Sequence, residues 1–198
     1  MTYDFSRFSP PSFEAFVQAM AVAVAGPTTV VFGVGPDGAR EVTVEGAIKI
    51  GDATWTGYTV FQAKHRQFPQ GSPKDAAWLI AEIDSEFAKF TDKRRTLRRP
   101  DFYVMASNVR LSAAAANASG KGGGGIDKVM QHLKAEATKI GIKEVALWHA
   151  DTLTALLDVH EGVRAKYDFF VQPGDVLARI IRDLEGPGQD EVLVPYLC

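Results

Sequence analysis

Residues 30–66 read VVFGVGPDGAREVTVEGAIKIGDATWTGYTVFQAKHR, and the way this stretch folds decides what must surround it. Thr29 to Phe32 is β-branched and apolar, Gly33-Val34-Gly35-Pro36-Asp37-Gly38 is dense in turn formers, and Arg40 to Glu45 alternates charged or polar residues with valine. That is the pattern of a hairpin. In its second strand Glu41, Thr43 and Glu45 share one face and Val42 and Val44 the other, because side chains alternate with period two. Tyr58 to Lys64 reads as a third strand, apolar on both faces until Gln62 and Lys64, which project from the same side two residues apart. A strand buried on both faces should not finish by pointing an amide and an ammonium the same way without partners, since an unpaired buried polar group costs several kcal/mol. The expected partners are acids and a cation. Between the hairpin and this strand, residues 46–57 read as a polar link in which Trp55 covers a sheet edge.

Gly33 to Gly38 also fits GxGxxG after a strand. A dinucleotide fingerprint must open a helix, whereas Arg40 to Glu45 alternates like a strand, so the glycines serve the turn.

Asp37-Gly38-Ala39-Arg40-Glu41, followed by an apolar strand ending Gln62-Ala63-Lys64, resembles the PD-(D/E)xK nuclease motif in its Mrr-like, restriction-endonuclease-type form, with glutamine in place of the usual acid of the last triplet. Gly35-Pro36-Asp37-Gly38, Trp55, Gly57-Tyr58 and Phe61-Gln62-Ala63-Lys64 resemble the N-terminal nuclease domain of bacterial NACHT or STAND-type antiviral proteins. So do Pro100-Asp101-Phe102-Tyr103, Ala106-Ser107-Asn108-Val109 and Pro173-Gly174-Asp175-Val176-Leu177-Ala178, and the likeness runs from about Phe13 to Leu184. It implies an α/β fold, a restriction-endonuclease-like αβα sandwich with a mixed central sheet, and an endonuclease that hydrolyses DNA with Mg²⁺ or Mn²⁺.

Site residues follow from the same resemblance. Glu41 is the expected central carboxylate, and Gln62 supplies its side-chain carbonyl or holds a metal-bound water. Lys64 is expected to orient or help deprotonate the attacking water and to stabilise charge on the phosphate. Two acids of the turn compete as principal ligand: Asp37 gives the motif its Pro-Asp pair, whereas Mrr-like relatives use the acid at the place of Glu41. A glutamate there, where most relatives carry aspartate, lengthens the reach by one methylene. Gln62 leaves one negative charge fewer around the cation, so metal binding weakens unless Glu14 or the scissile phosphate completes the site. Glu14 follows a phenylalanine on the first helix, as an additional metal ligand does in Mrr-like nucleases; the other reading is an anion favoured near a helix N-terminus.

The 198 residues suit one large domain, and 46% hydrophobic with 23% charged residues lies in the globular range. A net charge of −2 and a pI of about 6.1 argue against indiscriminate coating of nucleic acid. Any nucleic-acid surface must be local, and the expected one is Lys93-Arg94-Arg95-Thr96-Leu97-Arg98-Arg99 with His65 and Arg66 beside Lys64, because backbone binding rests on placed cations. Read without the nuclease context, the same cluster is a solvated helix terminus. The single cysteine, Cys198, excludes an intramolecular disulfide and a thiolate zinc site and fits a reducing, cytoplasmic setting. No stretch approaches the roughly 18 apolar residues of a membrane span, and Asp4 and Glu14 spoil residues 13–25 as a signal core.

Along the chain, Phe13, Phe16, Val17, Met20 and Val24 mark a first helix between Pro10-Pro11-Ser12 and Gly26-Pro27. Ala76, Leu79, Ile80, Ile83, Phe87 and Phe90 mark a second, with Asp75, Glu82 and Glu86 expected to face away from the sheet. A strand follows over Asp101 to Ser107, then a mobile Ala/Ser/Asn/Gly loop from Ser112 to Gly125, whose Lys121 lacks the rest of a phosphate-binding motif. That loop is either a flap over bound duplex or plain surface. Ile126 to Ile140 is helical with Gly141 as its cap, Glu144 to His149 a strand, and Asp151 the expected cap of a helix carrying Leu153, Leu156 and Leu157. None of four histidines has zinc-like spacing, so His149 reads as structural. A last helix uses Val176 to Leu184 and stops at Gly186-Pro187-Gly188. Residues 1–186 are thus expected to be the nuclease domain, and 187–198, with apolar Val192 to Cys198, a linker or the start of a following domain.

The expected substrate is double-stranded DNA, cut with little sequence specificity because nothing resembles a base-reading element. In the resembling antiviral proteins the nuclease is an effector, switched on by oligomerisation of C-terminal ATPase and sensor parts. The rival readings are a non-cleaving nucleic-acid-binding module on a nuclease fold and a protein-binding adaptor.

Overall fold

The computed structural model describes residues 3–26, 29–31, 41–114, 123–171 and 184. Asp37 with the rest of the Gly33–Gly38 turn, Lys121, most of the Val176–Leu184 segment and residues 187–198 lie outside the described residues.

Five strands form one mixed sheet in the order β1 (Val30–Val31), β2 (Val42–Ile50), β3 (Ala53–Lys64), β4 (Phe102–Ser107) and β5 (Glu144–Trp148). β2 is antiparallel to both of its neighbours, β1 and β3, and β3, β4 and β5 are parallel. Parallel neighbours need crossovers, which are supplied by α2 (Ser72–Thr91) and α3 (Gly125–Ile140). Because the strand order advances in one direction, right-handed crossovers put both helices on the same face. The other face is covered by α1 (Pro10–Ala25), α4 (Ala150–Val159) and α5 (Glu161–Val171). The result is an α/β architecture with helices on both sides of the sheet.

Two apolar cores lie on the two faces. Val42, Val44, Phe61, Ala63, Phe102 and Trp148 point toward α1 and α4, whereas Val60, Tyr103, Met105, Val145 and Leu147 point toward α2 and α3. The first core is rich in aromatics: Phe5, Phe8, Phe13, Phe16 and Tyr167 pack with ring centroids 5.3–6.5 Å apart. Tyr167 comes from α5 and Phe5 from a 3₁₀ turn over Phe5–Arg7, and neither element was expected from the sequence. The start of α1 is as expected: Ser9 caps it by accepting from the backbone N–H of Ser12, with proline at its first positions.

The expected polar link over residues 46–57 is a correction. β2 runs through Gly46 to Ile50, turns at Gly51-Asp52 and returns as β3 from Ala53, so the two strands form one long hairpin. Glycines and lysine disguised it, while Ile48, Ile50, Thr54 and Thr56 supply the β-branched side chains that favour a pleated ribbon. Trp55 does not cover an edge but stacks on Phe102 at 4.9 Å between centroids. Gly57 lies opposite Gly46 with φ +148°, and a Cβ there would stand 2.7 Å from the Asp101 carboxylate. That carboxylate accepts the Tyr58 N–H at 2.9 Å, the Asp101 N–H donates to the Tyr58 carbonyl, and Lys143 donates its N–H to the Asp101 carbonyl. Asp101 thereby aligns the starts of β4 and β5 with the middle of β3.

Candidate functional site

The carboxyl end of β3 carries the residues that the sequence singled out. Beyond the Val42–Phe61 pair the chain keeps its pairing, with the Glu41 N–H donating to the Phe61 carbonyl at 3.0 Å. Glu41 and Gln62 therefore meet on the α2 face, where Gln62 Nε2 donates to Glu41 Oε1 at 2.8 Å and to the Ala63 carbonyl at 3.3 Å. Gln62 is 3% exposed, and its Oε1 finds no hydrogen-bond donor among the described residues. A buried amide oxygen left so is costly unless something electropositive faces it.

Lys64 stands two residues on, about 7 Å along the strand at ~3.4 Å per residue, and on the same side as Gln62. Its Nζ lies 3.2 Å from Glu82 and in direct contact with Glu86. Burial pushes the Lys64 ammonium toward neutrality, but the Glu86 and Glu82 carboxylates outweigh it and hold the group above the ordinary lysine range. A lysine held so is a fixed positive charge, which suits neutralising a phosphate far better than removing a proton from water. Glu86 is 1% exposed and also holds Lys89, one turn along α2, at 2.6 Å.

This overturns the expectation that Asp75, Glu82 and Glu86 face away. They recur at i, i+7 and i+11, so they form a stripe of their own beside the apolar one. α2 lays that stripe over a sheet whose third strand ends in cations. Asp75, also buried, receives the Arg66 guanidinium at 2.6 Å and the backbone N–H groups of Gln70 and Gly71. No signal at the level of one helix announces this, since the partners come from a strand of different period.

Glu14 is half-buried on α1, which covers the opposite face of the sheet. Its helix reaches the same end of β3, where Phe13 packs on His65 with centroids 5.5 Å apart.

The expected basic cluster is divided. Lys93 to Arg99 follow α2 after it has returned the length of the strands, so they lie with Tyr58 and Asp101. That is about 20 Å from Lys64 at ~3.4 Å per residue. There Arg98 pairs with Glu45 at 2.5 Å and covers the Tyr58 ring at 4.1 Å, while Arg94 and Arg95 turn to Asp92 at 3.1 and 3.8 Å. Lys93 and Arg99 are exposed. At the Lys64 end Arg66 is held by Asp75 and lies over Trp78 at 5.5 Å. His65 contributes no dependable charge, because burial pushes its imidazole below the usual histidine value.

The strand ends at this rim are laced together. The Arg66 N–H donates to Asn108 Oδ1 at 2.7 Å, and Asn108 Nδ2 donates to the Arg66 carbonyl at 2.9 Å. His149, and not Asp151, caps α4: its Nδ1 accepts the Asp151 N–H at 3.3 Å. Burial lowers the His149 pKa and so keeps that nitrogen able to accept. A separate trio that sequence spacing did not reveal, Asp84 of α2 with His132 and Glu136 of α3, brings three ligand atoms within 4.8 Å of one another. Asp84 is exposed and the other two half-buried, and all three are already engaged: His132 with Asp84 at 2.6 Å and Glu136 with Lys139 at 2.5 Å.

Among the described residues no helix is long and apolar enough to cross a membrane. No family model matches the chain, and no curated protein or solved structure matches it either.

Proposed function

We propose that the chain is a metal-dependent DNA endonuclease of the PD-(D/E)xK kind on a restriction-endonuclease-like fold, with its site at Glu41, Gln62 and Lys64. One observation carries the reading: a buried glutamine, bonded through its nitrogen to a buried glutamate, leaves its oxygen without a donor among the described residues, two residues before an ammonium on the same side of the strand. The donor set is carboxylate and amide oxygen, which suits a hard divalent cation such as Mg²⁺ or Mn²⁺. When bound, that ion supplies Lewis acidity and a readily ionised water.

The chain's own residues do the rest. Glu41 and the Gln62 oxygen would hold the cation, and the hydrogen bond from Gln62 Nε2 fixes the Glu41 carboxylate for that purpose. The Lys64 ammonium faces the charge that develops on the phosphate. Supporting features are the mixed sheet, the helix α1 preceding it and the position of the triplet at a strand's carboxyl end, where ligands bind in open α/β sheets. Double-stranded DNA is the proposed substrate, cut with little sequence preference in a cytoplasmic setting. The proposed context is a bacterial antiviral effector, activated through oligomerisation by C-terminal ATPase and sensor regions.

A second reading, a nucleic-acid-binding module that does not cleave, is favoured by glutamine at position 62, which leaves one carboxylate fewer to hold a cation. Plasmid DNA incubated with the protein and Mg²⁺ or Mn²⁺, with and without chelator, separates the two. The nuclease reading expects metal-dependent nicks and breaks, with Glu41→Ala and Lys64→Ala each lowering the rate by about 10²-fold or more. Cutting that survives in both variants sinks the site. DNA retention without product favours the binding module.

A further inference from the structure

We propose that Glu86 of α2 is a positioning residue for this chemistry: it fixes where the Lys64 ammonium stands. The inference rests on the nuclease reading and adds a residue from outside the strand motif. Lysine carries its charge on a flexible four-carbon stem, so a position on β3 fixes only where that stem begins. At the far end, the Lys64 Nζ is in direct contact with the Glu86 carboxylate, which is itself 1% exposed and cannot swing into solvent. Lys89 reaches back from the next turn of α2 and holds the same carboxylate through both of its oxygens, at 2.6 and 2.7 Å. Glu82 is the lesser partner, about one third exposed and 3.2 Å away. The anchor for the ammonium is therefore a helix, while the amide and carboxylate for the cation come from strands. Packing of α2 on β3 sets the spacing between the two halves of the site.

Steady-state cleavage of supercoiled plasmid under saturating Mg²⁺ tests this with isosteric variants. Glu86→Gln keeps the shape and removes the charge that draws in Lys64. The expected result is a fall in kcat of about 100-fold, the size of effect that a displacement near 1 Å produces, with KM and the Mg²⁺ half-saturation within about twofold of wild type. Glu86→Asp restores the charge at shorter reach and recovers kcat to within about tenfold of wild type, and Glu82→Gln loses only a few-fold. A merely structural role moves none of these ratios once the reaction is run well below each variant's melting temperature. Glu86→Gln with wild-type kcat overturns the proposal, and so does a loss confined to KM. Should Glu86→Gln not accumulate folded, Glu86→Ala assayed well below its melting temperature decides in its place: a kcat about 100-fold down with KM unchanged supports the role, and a wild-type kcat removes it. A wild-type chain that cuts nothing defeats the nuclease reading and this role together, whereas a cutting wild type with an indifferent Glu86 removes this role alone.

Discussion

The two ends of β3 each carry an ion-pair network, and the contrast between them shows which charges matter. At the Tyr58 end, Arg98 pairs with Glu45 and Lys143 with Asp101, with side chains about one third to two thirds exposed. At the Lys64 end, Glu86 holds two ammoniums at 1% exposure, and Glu41 and Gln62 are bonded to each other out of reach of water. Water screens the first network and replaces either partner cheaply. In the second, removing one member leaves a charge or dipole with nothing to face. The same residue types are thus decoration at one end and constraint at the other.

The sharpest way to break that comparison is to truncate one member of an ion pair at each end. Glu86→Ala should cost about 3–5 kcal/mol of unfolding free energy, the penalty for dismantling a buried pair, measured by urea or thermal denaturation. Arg98→Ala should leave the transition where it is in the wild type. Equal effects would show that exposure is not what distinguishes the ends. Lys64 makes the stability of the buried end depend on pH. Its folded pKa is raised above the ordinary 10.5, so its contribution is fully present below pH 10.5 and is lost as the pH climbs through the folded value.

A second prediction sharpens the buried end. Gln62→Glu places two carboxylates side by side, so without metal the variant should be destabilised by about 1–3 kcal/mol relative to wild type. Added Mg²⁺ or Mn²⁺ should then raise its melting temperature more than that of the wild type. A hundredfold excess over Kd is worth about 2.7 kcal/mol. A melt indifferent to both ions, in variant and wild type alike, would argue against any cation at this place.

The smallest effect is at the far side of the same rim. Burial holds the His149 and His65 rings below their ordinary 6.5. The unfolded chain then takes up protons first, so the stability each neutral ring carries is complete above pH 6.5 and is lost as the pH falls through the folded value. The melting temperature should decline by a few degrees below pH 6.5, at about 2–4 °C per kcal/mol. His149→Asn, which keeps a capping side chain, should remove part of that decline. An unchanged acid sensitivity would exclude His149 as a contributor.

How much of this was legible in the sequence depends on the range over which each signal acts. The second half of β3 and β4 announce themselves as apolar runs and α1, α2 and α3 through their stripes, and Gln62 and Lys64 share a side because period two requires it. Asp151 was misread as a cap because a histidine one step earlier performs the task with a ring nitrogen. α5 escaped notice because its inward residues, Val163 and Tyr167, make only one turn's worth of pattern. The Glu86–Lys64 contact spans 22 residues and joins a helix to a strand, so neither period contains it. It becomes visible only once the crossover has laid α2 along the sheet.

One consequence belongs to the seam between Gly57 and Asp101. The carboxylate occupies the volume that any side chain at 57 would claim, and it also fixes the alignment of β3 and β4. A side chain at 57 would meet both that carboxylate and a backbone angle of +148° that glycine alone adopts readily, so losing the acid would clear the space without relieving the backbone, and glycine should persist at 57 as long as the hairpin keeps this path.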